Sequence, residues 1–375
     1  MAAEPQQTHP PHATTTERAR AAEPGLTRSL VGQPPTTPEA ELRALADVTA
    51  SSDGAAIWDR YGEHGPVAAL EARLAEVLGK PAVAMFPSGV MAQQSMLRVW
   101  CDAAGTRRVA APALSHLLRH EADGPRLLHG FDFALLTDGP VVPQVEHLAA
   151  VPGPLGAVLL ELPLRDAGCL VPPWKELAAL SAAARDRGVP LHLDGARIWE
   201  SAPHLGHSPA EVAALADSVY VSLYKGLGGL AGAAVAGPED EVAQARLWRT
   251  RMGGTLFSLL PYAAAGLRGL DLQLPRMAEY HERATLLATR MADRGIRVSP
   301  MPPHTNAFRV HVEREVDDLD VRRVDAMERE QVRLSPPWRA SDVPGWSWTE
   351  LVVGPATVEW EVDEAVDAFV RTYLE

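Results

Sequence analysis

Apolar residues recur at helical spacing in PVAALEARLAEVLG (66–79), where Val67, Leu70, Leu74 and Val77 share a face and Glu71, Arg73 and Glu76 lie elsewhere. Short apolar runs follow: AVAMF at 82–86, AVLLEL at 157–162, VPLHL at 189–193, SVYVSL at 218–223 and AAVAG at 233–237. Helical stretches separate several of them, the stretch from Trp174 to Arg187 among them. Alternation of this kind predicts an α/β fold, a mainly parallel sheet covered by helices on both faces. Ligands of such sheets gather at the carboxyl ends of the strands, so the loops after these runs are where chemistry is sought.

The pattern changes at LQLPR (272–276). A long helical stretch from Met277 to Arg294 precedes two strand-like pieces, Ala307–Val312 and Glu350–Val353, and the chain closes on a helical stretch, Val362–Tyr373. This predicts a small C-terminal α+β domain over 273–375. The Pro- and Trp-rich segment 335–348 predicts an irregular loop. Residues 26–272 form the predicted large domain, with 26–45 as an N-terminal arm. Residues 1–25 hold Pro, Thr, Gln and Ala with almost no large apolar groups, which predicts a mobile tail.

Composition narrows the classes. Of 375 residues 46% are apolar and 22% charged, which excludes collagen-like and wholly disordered chains. The balance of 35 basic against 48 acidic residues argues against a broad nucleic-acid or anionic-membrane surface. A small-molecule substrate is the expected partner. The two cysteines, Cys101 and Cys169, lack metal-ligand or pairing spacing, no apolar run reaches membrane-spanning length, and no secretory signal is visible. A cytoplasmic protein is expected.

The chemistry concentrates in VPLHLDGARIW (189–199) and DSVYVSLYKGLGGLAGAAVAG (217–237). Asp194 ends a buried strand, where a lone carboxylate is expensive without a partner or a function. Lys225 ends the next strand-like run and enters a Gly-rich stretch. A lysine in a partly dry pocket becomes a nucleophilic amine. A strand-end aspartate with a strand-end lysine is what pyridoxal 5'-phosphate requires: the lysine bonds covalently to the cofactor aldehyde, and the aspartate pairs with the pyridinium nitrogen.

With these motifs in view, the sequence resembles the L-threonine aldolase / β-eliminating lyase family, fold-type I pyridoxal-phosphate enzymes with an aspartate-aminotransferase-like large domain. HLDGAR, followed by a strand ending in lysine and then GLG, carries the resemblance, which covers roughly residues 26–310. It implies further roles. FPSGVMAQQSML (86–97) is similar to the family's phosphate loop, placing Ser88, Gly89 and the Val90 amide at a helix N-terminus suited to a phosphate. LSHLLRHEADGP (114–125) implies that His116 stacks on the cofactor ring and positions a base. Arg197 matches the arginine that grips the substrate carboxylate. TRSL (27–30) puts Ser29 near the phosphate or carboxylate, and Ser222 is placed to touch the phosphate. YGEHGPV (61–67) resembles a subunit-boundary segment, so Tyr61 is expected to reach a neighbouring protomer's site in a homodimer or homotetramer. The implied reaction is cleavage, or formation, of β-hydroxy-α-amino acids to glycine and an aldehyde.

Departures from the family pattern bear on the substrate. Val90 replaces a threonine, Glu161 is followed by Leu162 and Pro163 where Asn-Thr is usual, and Phe257 stands where an arginine is common. Glu350 in ELVVG aligns with an arginine that grips the carboxylate. An anion there would weaken carboxylate binding or favour a substrate with an extra amine. Another lyase reaction, or a non-catalytic binding protein on this fold, is the competing class. Bland alternatives stand beside each residue: a solvated Lys225, Asp194 as a helix cap, Arg197 as a surface ion-pair partner, His116 as a core histidine. His116 and His120 share a helical spacing but no third ligand is visible, so no metal is expected.

Overall fold

The computed structural model describes residues 14–51 and 57–375. Seven strands form the main sheet, in the spatial order Ala82–Phe86, Ala233–Gly237, Ser218–Ser222, Leu191–Asp194, Ala157–Glu161, Arg108–Ala111, Asp132–Leu135. Six run in one direction. The strand Ala233–Gly237 is antiparallel to both its neighbours. A parallel return needs a crossover of a dozen or more residues, usually through a helix. Residues 223–232 contain no helix, so the chain turns straight back.

Alternate residues of each strand enter two separate cores, as a pleated strand covered on both faces requires. Val83, Met85, Val158, Leu160, Val219 and Val221 join the core built on the helix Gly65–Leu78. Ala84, Phe86, Ala157, Leu159 and Tyr220 join the core built on the helix Gly89–Ala104. The first of these helices buries Leu70, Leu74 and Leu78 and stops at Gly79, whose φ of 60° closes it with a left-handed cap.

Beyond residue 273, the helix Met277–Asp293 leads into a second, antiparallel sheet: Arg339–Ala340, Ser347–Val352, Ala307–Val312, Arg297–Ser299. In Ala307–Val312 the residues Phe308, Val310 and Val312 face the core, and Arg309 and His311 face away. The helices Val316–Arg329 and Val362–Tyr373 complete this layer. The irregular loop expected over 335–348 is interrupted by Arg339–Ala340, and Trp348 belongs to a strand.

The tail expectation is corrected in part. Residues 1–13 lie outside the described residues. Thr15–Ala22 is a helix, with Thr14 and Glu17 forming a capping box, and Arg18 bridges Asp325 at 2.7 Å and Glu328 at 2.6 Å on the helix Val316–Arg329. Local capping and partners three hundred residues away do what apolar content does not. The arm that follows pairs Arg28 and Ser29 with Val332 and Arg333, so it is tied to the C-terminal layer as well. Among the described residues no helix is long and apolar enough to cross a membrane.

Candidate active site

Register brings the strand ends together. Phe86 pairs with Ala233, Ala233 with Ser222, Tyr220 with Asp194, and Asp194 with Glu161. The loops that leave Phe86, Glu161, Asp194 and Ser222 therefore rise from one edge of the sheet. Lys225 follows Ser222 by one turn of loop.

A cavity of about 70 Å³ at this edge is lined by His116, Glu161, Leu162, Pro163, Arg165, Asp194, Ala196, Arg197 and Lys225. The separate motifs LSHLLRH, HLDGAR and YKGLG thus meet at one place. Asp194 is 2% exposed. Its Oδ2 accepts from Gln93 Nε2 at 2.8 Å and its Oδ1 from the Ala196 amide at 3.1 Å. Burial lowers the Lys225 pKa, the Arg197 guanidinium adds to the effect, and Asp194, Glu200 and Glu161 oppose it. The result favours a neutral, nucleophilic amine.

The next residue of the 89–104 helix holds a second carboxylate. Gln94 Nε2 donates to Glu121 Oε2 at 2.7 Å, and Glu121 Oε1 lies 3.4 Å from His116 Nδ1. The hydrogen bond with Glu121 raises the His116 pKa, against burial. His120, whose ring centre is 5.1 Å from that of His116, bonds Asp166 at 2.7 Å. Glu161 receives the His116 amide at 2.6 Å and the Arg165 amide at 3.1 Å. Burial and the nearby Asp194 charge nevertheless push its carboxyl up to about 7.

Ser88 caps the helix Gly89–Ala104, its Oγ accepting from the Met91 amide at 3.3 Å. Gly89 is required by space: a Cβ there would lie 2.7 Å from Tyr220 Cζ and closer still to the hydroxyl. The helix N-terminus and its free amides suit a phosphate dianion. Ser222 is fully buried at the end of its strand, and its Oγ has no hydrogen-bond partner among the described residues. An orphaned hydroxyl, a helix N-terminus, a strand-end carboxylate and a lysine of lowered pKa are the donor set pyridoxal phosphate needs, so the residues fit that cofactor.

Other expected residues fall elsewhere. Ser29 is buried, and its hydroxyl bonds the Val31 backbone at 2.8 and 3.2 Å; Gly32 and Gln33 of the same arm instead line a 230 Å³ cavity beside Lys225 and Arg197. Tyr61 is 57% exposed and stacks edge-on against Phe257 at 5.5 Å, away from the cavity within one chain. Phe257, in place of the common arginine, belongs to the same exposed cluster. Glu350 Oε1 accepts from Arg165 Nε at 3.1 Å and Nη2 at 3.0 Å, so it is bound within the protein and does not line the cavity.

Gln93, Gln94, Glu121, Arg165 and Glu200 escaped the sequence reading. The signal was present for three of them. Gln93 and Gln94 sit where an apolar helix turns inward, and Glu200 lies in the apolar helix Ile198–Leu205, 2% exposed. Glu200 packs against Gly226, where a Cβ would lie 2.6 Å from its carboxyl carbon, and burial raises its pKa.

A main sheet of this topology, with lysine and aspartate at one edge, is that of a fold-type I pyridoxal-phosphate-dependent enzyme. The chain belongs to the beta-eliminating lyase family, whose model matches residues 36–315. It is 29% identical over 259 residues to low-specificity L-threonine aldolase 1 of Arabidopsis thaliana, 65% of this chain and 71% of that one. It is 30% identical over 282 residues to an aldolase of Penicillium aethiopicum, 72% of this chain and 70% of that one. A solved structure from Listeria monocytogenes, provisionally assigned as an L-allo-threonine aldolase, superposes with a TM-score of 0.87 and 34% identity, covering 96% of this chain and 99% of that one.

Proposed function

We propose that the protein cleaves, and in reverse forms, β-hydroxy-α-amino acids such as L-threonine or L-allo-threonine, giving glycine and an aldehyde. The observation that carries this is the cavity where Lys225, Asp194, His116 and Arg197 converge; the relatives named for threonine aldolase activity support it. Lys225 would hold the cofactor, Asp194 would pair with its ring nitrogen, and Ser88, Gly89, Val90 and Ser222 would hold its phosphate. When bound, the cofactor supplies an electron sink for negative charge at the substrate α-carbon.

The chain's own residues do the rest. Gln93 fixes the Asp194 carboxylate in one orientation. Glu121 orients the His116 ring over the cavity, and His116 positions the base that takes the β-hydroxyl proton. Glu161, whose carboxyl burial and the Asp194 charge push up, lines the same cavity and is placed to hold or release a proton. Arg197 binds the substrate carboxylate.

Trp58, Tyr61 and Phe257 gather around Arg60, 57–60% exposed, which supports a homodimer or homotetramer that covers them and brings Tyr61 to a neighbouring site. Cys101 and Cys169 are buried and unpaired, consistent with a cytoplasmic setting. The chain is also best divided at 272/273, where the main-sheet layer gives way to the C-terminal layer.

The test is incubation of cofactor-loaded protein with L-threonine and L-allo-threonine, with acetaldehyde and glycine measured together. Equimolar products, absent in Lys225→Ala, support the proposal. Ammonia and an oxo acid in place of glycine would establish β-elimination instead.

A further inference from the structure

By the resemblance described above, an anion, Glu350, stands where a carboxylate-gripping cation is expected. The structure shows a guanidinium beside that anion. Arg165 lines the same 70 Å³ cavity as Arg197 and Lys225. We infer that Arg165 is a second substrate-binding guanidinium, working with Arg197 on the α-carboxylate, and that Glu350 is its positioning residue. This rests on the amino-acid lyase reading above.

Three residues, Glu161, Glu350 and Arg309, fix Arg165 before any ligand arrives. Its amide donates to Glu161 Oε1 at 3.1 Å. Its Nε and Nη2 both reach Glu350 Oε1, at 3.1 and 3.0 Å. Its carbonyl, with that of Asp166, accepts from Arg309 Nη2 at 3.1 and 3.0 Å. Arg309 pairs with Glu350 across adjacent strands, so one strand pair holds both the backbone and the side chain of Arg165. The loop is closed by the bridge between Leu164 and Leu170.

That arrangement engages one edge of the guanidinium and leaves the other open. Arg165 Nη1 is 3.9 Å from Asp166 Oδ1, beyond hydrogen-bond range, and donates no hydrogen bond among the described residues. The side chain is 26% exposed and the residue lines the cavity. Glu350 lies among Arg165, Arg309 and Arg197, with Asp166, Glu161 and Glu200 also nearby, and its own hydrogen bonds go to the Nε–Nη2 edge of Arg165 alone. A planar fork with a free edge, held in place beside a second arginine, suits a carboxylate. Glu350 thus keeps a cation at the site by anchoring one, and it does not select for an extra substrate amine.

The experiment uses the cofactor-loaded protein and reads ligand binding from the change in the cofactor's visible absorbance. The ligands are glycine and 2-aminoethanol, which lacks the carboxylate. Arg165→Gln is expected to keep cofactor affinity within about twofold, to raise the glycine dissociation constant on the order of 10- to 100-fold, and to leave 2-aminoethanol unaffected. Arg165→Lys should recover part of the loss. Glu350→Gln, the second variant, should weaken glycine by a smaller factor and leave 2-aminoethanol unaffected. Unchanged glycine binding in Arg165→Gln, or equal weakening of both ligands, overturns the inference; so does a Glu350→Gln defect confined to substrates with a second amine. Glycine binding that depends on Arg165 in a protein that releases no aldehyde would refute the aldol reading while sustaining this one.

Discussion

Replacing Gly89 by alanine tests the proposed phosphate-binding end of the site with a change of one methyl group. The glycine does not serve a left-handed backbone here; it makes room. The added Cβ would lie 2.7 Å from Tyr220 Cζ and 3.0 Å from Cε2, with the hydroxyl nearer. Tyr220 cannot yield easily, because it is 3% exposed and sits in a central strand, paired with Asp194 on one side and Val235 on the other. The helix start must therefore move by roughly 1 Å to restore ordinary contact, since packed cores transmit rather than absorb such strain. Overpacking of this kind costs about 1–3 kcal/mol. The same movement would withdraw the Gly89 and Val90 amides from the proposed phosphate position, and a hydrogen bond to a charged group contributes about 1.5–3 kcal/mol. The two effects overlap because they share one displacement, so the cofactor dissociation constant should rise about 10- to 100-fold. Absorbance titration of the apoprotein with pyridoxal phosphate measures it, and circular dichroism checks the fold. A Gly89→Ala protein that binds cofactor within twofold of wild type would refute the reasoning, because it would place the phosphate away from this helix.

Other expectations follow from single contacts. Gln93→Leu removes the donor to Asp194 Oδ2; a loss of about 1.5–3 kcal/mol predicts roughly 10- to 100-fold weaker cofactor binding or turnover, and an effect below twofold contradicts the role given to Gln93. Arg18→Ala cuts a partly exposed ion pair and should cost at most about 1 kcal/mol of stability in a denaturant titration; a loss above 2 kcal/mol would mean the N-terminal helix carries more of the fold. His192 is fully buried, its Nδ1 2.8 Å from Ser218 Oγ, and burial pushes its pKa down to about 3. The native state then refuses a proton that the unfolded chain accepts near pH 6.5, so stability falls as pH drops from about 6.5 toward 3. His192→Asn should reduce the proton uptake on acid unfolding by about one in that window, measured from the pH dependence of unfolding free energy; an unchanged slope would contradict the burial argument.

Some of the architecture could be read from residues alone, and the limits have physical causes. The strands at 82–86, 157–161, 218–222 and 233–237 announce themselves because both faces are buried, which leaves continuous apolar runs. Arg108–Ala111 and Asp132–Leu135 do not, being four residues long with a charged residue at the start. The direction of Ala233–Gly237 depends on the loop before it, whose lack of a helix is not a property of the strand. Lys225, Asp194, Arg197 and His116 stood out because their residue types suit the proposed chemistry, and the structure brings them to one cavity. Gln93, Gln94 and Glu121 act on other side chains, and only the fold reveals which ones. Glu350 shows the limit most clearly: its charge suggested a contact with substrate, whereas its partner is Arg165, 185 residues away along the chain. The helix Thr15–Ala22 is held by Asp325 and Glu328, contacts no local composition can register.

The central claim is that Lys225 carries the cofactor at the edge where Asp194 and Arg197 converge. The most direct measurement is borohydride reduction of cofactor-loaded protein, followed by digestion and peptide mass spectrometry. The account predicts one phosphopyridoxyl group per chain, on the peptide containing Lys225, and none in Lys225→Ala. A label on Lys80, Lys175 or the N-terminus with Lys225 unmodified, or no label at saturating pyridoxal phosphate, would contradict it.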